Sequence, residues 1–391
     1  MNQPVAAPSV QRLTWLDTMR GLSILWIAFF HFFITYDNGR FPWPVNLKTF
    51  PPFLSQCSAT ASGLSCTVDA LMAGLFQRGP QAVGVFIILS GFGLTYSLTK
   101  TGFPQGGWIQ WYGKRFMRLF PLYWLAHLIY LVSPFVYRHD SVDYRFLLSF
   151  LGDRFIPVDT MFYYLNPAWW YFGMILQLCL VYPLLFRMMQ KTGVVWFLVI
   201  VGVMSLGSRY LLHFVLHAHW NYVQGGFFGS RVWEFGMGMA LALVFRRQPQ
   251  SVLRSLFSWP VLLAGIAIYS LGAFCYQPNI AFIFSDGLMG MGLFVIMAHV
   301  ARGVSRVPYL NRGITLVGVY CYGVYLLHQP YVMYCGRLLV DWSMPLYVLA
   351  AAGILTGICW GAIGLERLTN RGVGFLEARY KLFSPSSPPT G

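Results

Sequence analysis

The chain has 391 residues, 57% hydrophobic and only 10% charged, and a formal net charge of +15; its mean hydropathy is +0.57. This balance excludes a soluble enzyme with an ordinary polar surface. It also excludes a nucleic-acid binder, because the basic residues are not interleaved with polar and aromatic ones on a soluble face.

Residues 1–17 contain no cleavable apolar core ahead of the first long apolar run, so no signal peptide is expected. From there, runs of about 20 residues recur, the length that ~30 Å of hydrocarbon demands of a helix. They fall at 18–37, 80–99, 117–137, 168–189, 193–215, 227–246, 258–277, 280–301, 314–337 and 345–366. The seventh and eighth are divided only by a turn near Gln277-Pro278-Asn279. The expected fold is all-α, a polytopic membrane domain of about ten transmembrane helices over 18–366. It is flanked by a cytoplasmic N-terminal segment, 1–17, and a cytoplasmic tail, 367–391, partly disordered at SPSSPPTG.

Placing both termini in the cytoplasm puts 18 of the 27 lysines and arginines on inner segments, Arg12, Arg115, Arg118, Arg246 and Arg367 among them. Only Asp17, Glu366 and Glu377 of the 12 acids lie there, so the net charge is largely a positive-inside signature.

In the first span, RGLSILWIAFFH (20–31) carries an arginine and a histidine at the two ends of an apolar run. Eleven residues complete about three turns, so Arg20 and His31 share one stripe roughly 16 Å apart, with Ile24 and Ile27 between them. Asp17, three residues earlier, can pair with Arg20. An ionisable group at membrane depth must face the bundle interior or a wet cavity, so His31 is a candidate functional residue. The plainer reading makes it a packing histidine and Arg20 a snorkelling anchor.

Further along, Cys57 and Cys66 share the long loop 38–79 on the outer side, where a disulfide is permitted; two free thiols are the alternative. The remaining five cysteines lie in or beside spans as small hydrophobes. Arg115 and Arg118 stand one turn apart at the cytoplasmic mouth of the third span, where head-group anchoring alone can account for them. His213, His217 and His219 form a weak metal-site spacing with no cysteine or carboxylate close behind, and no metal is expected. Aromatic clusters at Phe41-Pro42-Trp43, 166–170 and Trp220-Asn221-Tyr222 suit either an interface belt or sugar contact. His328 precedes Pro330, which has no N–H for the carbonyl of Leu326, so the helix is expected to loosen beside it.

Several of these stretches together resemble one family. LDTMRG with the Arg20-to-His31 spacing is similar to the first helix of the acyltransferase family 3 membrane proteins, which O-acylate bacterial surface glycans and some other acceptors. GVFIILSGFGLTYS (84–97), KRFMRLFPLYW (114–124), WWYFGMILQLCLVYPLLF (169–186) and YCYGVYLLHQP (320–330) resemble later family motifs, in family order. The chain departs from the pattern at Ile175 and Leu176, and again at Gly84, where many members carry a carboxylate.

The resemblance implies a multi-pass O-acyltransferase of the bacterial cytoplasmic (inner) membrane. It would move an acyl group, usually acetyl, from acyl-CoA to a hydroxyl of a cell-surface polysaccharide or lipid-linked sugar. On that basis His31 is the catalytic residue, as general base or transient acyl carrier, since imidazole titrates near neutral pH. His328 is a second catalytic candidate, and Arg20, Arg115 and Arg118 would hold the polyanionic donor. Membrane lipid, acyl-CoA and the glycan acceptor are the expected partners; nothing in the residues sets an oligomeric state. The alternative is a transporter or flippase for a glycan or small anionic solute, in which the buried His and Arg mark a path.

Overall fold

A computed structural model of the protein describes residues 13–59, 61–102, 107–136, 140–277 and 279–383. Arg12, the Pro278 of the expected turn and the SPSSPPTG end of the tail lie outside them. The described residues contain helix and no strand.

Helix α1 (Thr14–Asp37) ends on Asn38, whose positive φ is the left-handed cap that asparagine tolerates. The segment read as one long loop instead folds into α2 (Phe50–Cys57) and α3 (Gly63–Gln77), joined by a Cys57–Cys66 disulfide. The Ser62 side chain caps α3 by accepting from the Ser65 amide at 3.2 Å, which satisfies one of the helix's free N-terminal donors. Next come α4 (Ala82–Thr101) and α5 (Gly107–Val132), the latter starting well ahead of its expected span. Two short helices, α6 (Tyr144–Phe150) and α7 (Val158–Met161), lead to α8 (Trp170–Tyr210). The two spans expected here are two arms of α8, divided at Gly193 with φ 77° and ψ 169°. Glycine adopts that conformation at little cost.

The second half runs α9 (Val232–Arg247), α10 (Pro249–Leu256), α11 (Trp259–Cys275), α12 (Phe282–Val304), α13 (Pro308–Val319), α14 (Cys321–Leu338) and α15 (Met344–Phe383). The last continues past the expected boundary at 366. Around His328 the helix does not open: α14 is continuous with Pro330 inside it. The reason lies in α8, as described below.

Helix stands at every one of the ten intervals picked out by hydropathy. Among the described residues five helical segments are long and apolar enough to cross a membrane: Thr14–Asp37, Gly63–Thr99, Pro167–Val215, Phe282–Val304 and Met344–Phe375. Pro249–Leu256 with Trp259–Cys275, bent by 64°, makes a sixth if the pair is one span. The others are shorter or more polar: α9 has 16 residues, and α5 carries Lys114, Arg115 and Arg118. Large apolar side chains such as Leu180, Leu184, Val195, Leu263 and Leu349 cover the outside, the surface that lipid requires.

Backbone contact through glycine fixes the centre of the bundle, the device membrane helices use where hydrophobic burial drives nothing. A Cβ on Gly318 would overlap the Asp17 carbonyl oxygen, so α13 touches α1 beside Arg20. A Cβ on Gly238 would overlap the Ile88 carbonyl oxygen in the same way, which locks α9 to α4. These contacts leave a cavity of about 790 Å³ walled by α1, α4, α5, α8, α14 with the end of α13, and α15.

Candidate active site

The α1 stripe falls on this cavity: Arg20, Ile24, Ile27 and His31 all line it. Arg20 Nη1 donates to Asp17 Oδ1 at 2.8 Å, the i,i+3 pairing expected of the helix, with Asp17 buried. Arg115 and Arg118 of α5 line the cavity too, with Glu366 and Asn370 of α15. Arg115 lies 5.3 Å from the Trp111 ring centroid, a cation–π contact that holds its stem in place. Among the described residues neither Arg115 nor Arg118 has a carboxylate within ion-pair distance.

His31 and His328 meet in the same cavity, with ring centroids 5.3 Å apart. His31 is partly exposed and His328 fully buried. His328 Nδ1 lies 3.1 Å from the Val324 carbonyl and 2.9 Å from that of Tyr325, while its Nε2 has no hydrogen-bond partner among the described residues. The Gln329 side-chain amide reaches His31 Nδ1 at 3.3 Å.

Helix α8 begins directly against α14, which explains why Pro330 does not break that helix. The Leu326 carbonyl, deprived of its helical donor, accepts from Asn166 Nδ2 at 3.0 Å and Trp169 Nε1 at 2.9 Å. Tyr325 Oη donates to the Ala168 carbonyl and accepts from the Phe172 amide, both at 2.9 Å. The Ala168 amide donates to Gln329 Oε1 and, at 3.0 Å, to Asn166 Oδ1. One turn of α14 thus satisfies the free donors at the start of α8 and has its own free carbonyl satisfied in return.

Sequence reasoning missed Tyr325, Tyr171 and Glu366 as cavity residues, and Gln329 as the partner of His31. Tyr325, one turn before His328 on the same face, was open to discovery by helical spacing. Gln329 was not, since it reaches His31 across 298 positions of sequence. Tyr171, whose hydroxyl is 3.2 Å from Ser90 Oγ, depends likewise on a contact between helices.

At the departures from the family pattern, Ile175 lines the cavity and Gly84 packs on Gly290. A buried acid, Glu234, lies beside Gly290 and pairs with Arg231 at 2.7 Å. Asp286 joins this group, 2.6 Å from Arg209 and 3.4 Å from Arg231. This quartet, buried except for the half-buried Asp286, was also missed.

Other described histidines are held elsewhere. His127 is 2.9 Å from the Tyr123 carbonyl and 2.8 Å from Ser149 Oγ, a satisfied packing residue. His213 sits among Phe214, Trp220 and Phe282, and His219 Nδ1 accepts from the Asn221 amide at 3.3 Å. No group of three or more His, Cys, Asp or Glu among the described residues is arranged to hold a metal. Of the aromatic clusters, Trp43 stacks near Phe33 and Trp220 near Phe282, while Trp170 lines the cavity.

Bundle and cavity together define a helical membrane protein with arginines and paired imidazoles facing one internal space. The acyltransferase domain model of the family resembled above matches residues 13–364, nearly the whole chain. The chain therefore belongs to that family and is an acyltransferase of its kind. No curated protein and no solved structure matches it.

Proposed function

We propose that this acyltransferase moves an acyl group, most simply acetyl, from acyl-CoA to a hydroxyl of a cell-surface polysaccharide or lipid-linked sugar. The observation that supports this reading is the shared cavity of Arg20, Arg115, Arg118, His31 and His328. Its volume of about 790 Å³ is within the range of sites for small organic ligands. Arg115 and Arg118, with forked guanidinium groups and no carboxylate partner among the described residues, suit the donor's phosphates. Arg20, paired with Asp17, adds charge to the same end.

In the reaction the acceptor oxygen attacks the thioester carbonyl carbon while its proton passes to an imidazole of the His31–His328 pair. The C–S bond then breaks, and the leaving coenzyme A sulfur takes that proton back. Histidine suits both halves of this transfer near neutral pH. The same reading makes 18–366 the catalytic membrane domain of about ten spans in a bacterial inner membrane, with 1–17 and 367–391 in the cytoplasm. The donor then approaches from the arginine side.

The test is detergent-solubilised protein supplied with radiolabelled acetyl-CoA and candidate glycans. Label transferred to glycan, and lost in a well-folded His31→Ala variant, is the expected result. Wild-type protein that transfers no acyl group to any acceptor yet moves solute across a vesicle membrane would overturn the reading, because transfer needs no second compartment.

A further inference from the structure

We infer that Gln329 fixes His31 with its ring proton on Nε2, so that His31 serves the reaction as a hydrogen-bond donor and His328 is the base. This rests on the acyl-transfer reading of the cavity and assigns unequal work to its two histidines.

The Ala168 amide is a donor that cannot change its role. It donates to Gln329 Oε1, which leaves the NH₂ end of the same side chain facing His31 Nδ1 at 3.3 Å. Turning the amide over would bring its NH₂ against the Ala168 N–H, donor against donor. His31 Nδ1 must therefore accept, and a neutral ring then carries its hydrogen on Nε2. In His328 the constraint is opposite. Its Nδ1 faces only the carbonyls of Val324 and Tyr325, at 3.1 and 2.9 Å, and these can only accept. Nδ1 therefore holds the proton, and the Nε2 lone pair is bare.

That Nε2 is buried and without a partner among the described residues, a costly arrangement that a folded chain seldom keeps without a use. The two rings, 5.3 Å apart, both line the cavity, His31 with one ring N–H and His328 with one lone pair that is closed to solvent until a substrate enters. An acceptor hydroxyl gives its proton to His328 Nε2 as its oxygen bonds to the thioester carbon. The carbonyl oxygen gains negative charge and accepts from His31 Nε2–H, a donor aimed where charge develops. When the C–S bond breaks, His328 returns the proton to the coenzyme A sulfur. Gln329 touches none of the reacting atoms and is a positioning residue.

The experiment is ¹⁵N NMR of full-length protein labelled at histidine, where protonated and bare ring nitrogens resonate in separate windows. His31→Ala and His328→Ala samples assign the signals. The expected result is a bare Nδ1 and protonated Nε2 for His31, and the reverse for His328. A protonated Nδ1 on His31 overturns the proposal, whether or not the protein acylates anything. The kinetic arm is Gln329→Glu, which keeps an acceptor for the Ala168 amide and puts a carboxylate oxygen against His31 Nδ1, moving the proton there. A loss of about 100-fold in kcat, the scale of one deleted oxyanion donor, is expected, with the KM for acyl-CoA within about twofold. An unchanged or raised kcat would mean that His31 works as the base and would overturn the assignment. A wild-type protein without transferase activity, but with the expected nitrogen signals, would overturn the acyl-transfer reading and leave the tautomers standing.

Discussion

Trp169 donates its indole N–H at 2.9 Å to the carbonyl of Leu326, the group that Pro330 leaves without a helical donor. The start of α8 and the proline-containing turn of α14 are therefore one structural unit, and the catalytic histidine candidate His328 is carried on it. Asn166 supplies the second donor at 3.0 Å and also caps the turn that begins α8, through the Ala168 amide. Asn166→Ala is expected to cost about 1–3 kcal/mol, the net worth of the two hydrogen bonds it removes, while Trp169 and Gln329 keep the Leu326 carbonyl and the Ala168 amide paired. Trp169→Phe is expected to cost less, because Asn166 keeps the carbonyl occupied. Thermal melting in detergent measures both, and a double-mutant cycle should give a nonadditive pair, since the two donors share one acceptor.

Arg115 and Arg118 face the cavity without carboxylate partners among the described residues, so their removal should affect donor affinity more than folding. Arg115→Ala and Arg118→Ala are each expected to raise the KM for acyl-CoA about tenfold, with kcat little changed, the pattern of lost uniform binding. Lysine at either place should restore part of the loss, because it keeps the charge and loses the fork. Steady-state kinetics with varied acyl-CoA checks this. A kcat effect with constant KM would place the arginines at the reacting centre instead.

How much of this site the sequence disclosed depended on whether the relevant contact lies within one helix. The stripe of Asp17, Arg20, Ile24, Ile27 and His31 was legible because helical periodicity alone brings those side chains together. The Arg115-Arg118 pair was legible for the same reason. Pro330 announced a free carbonyl at Leu326, and the carbonyl is indeed free of its helix, but its partners come from 157 and 160 positions away. For that reason the expected loosening of α14 did not occur. Gln329 and the quartet of Arg209, Arg231, Glu234 and Asp286 depend wholly on how helices pack, which no local pattern encodes. The helices α2 and α3 were passed over because hydropathy windows tuned to membrane crossing favour the longer run that follows them.

The quartet offers a stability prediction separate from activity. Arg209, Arg231 and Glu234 are buried and Asp286 is half-buried beside them, and none of the four lines the cavity. Arg209→Ala leaves the group with an excess negative charge and is expected to destabilise by about 3–5 kcal/mol. Arg231, 3.4 Å from Asp286, offsets part of that loss. Arg209→Met with Asp286→Met restores neutrality and should recover most of the rest. The KM for acyl-CoA should stay at the wild-type value throughout. Chemical or thermal unfolding in detergent reads the first effect, and kinetics the second.

The contact of α13 with α1 makes a sharper packing prediction. Any Cβ at Gly318 would overlap the Asp17 carbonyl oxygen, so the helices must separate to admit one. Gly318→Ala is expected to lower stability by about 1–3 kcal/mol or more, the cost of overpacking, and to disturb Arg20 next to the contact. Gly353→Ala, where nothing lies within 4 Å, is the control and should be neutral or slightly stabilising through helix propensity. Yield and melting temperature of the two variants check the difference.

Orientation can be tested through the disulfide. Helix α1 has 24 residues, which at the α-helical rise makes it about 36 Å long. The 17 residues from Arg20 to its end at Asp37 span about 26 Å of that, and the Cys57–Cys66 pair lies in the segment that follows. If the arginine end meets cytoplasmic acyl-CoA, the disulfide belongs on the oxidising side, where such bonds persist. An impermeant reductant followed by an impermeant maleimide should then label Cys57 and Cys66 in intact spheroplasts. A cysteine introduced by Asn370→Cys, on α15 at the arginine end of the cavity, should be labelled only after the membrane is opened. The opposite pattern would invert the protein in its membrane and put the arginines where no coenzyme A is found.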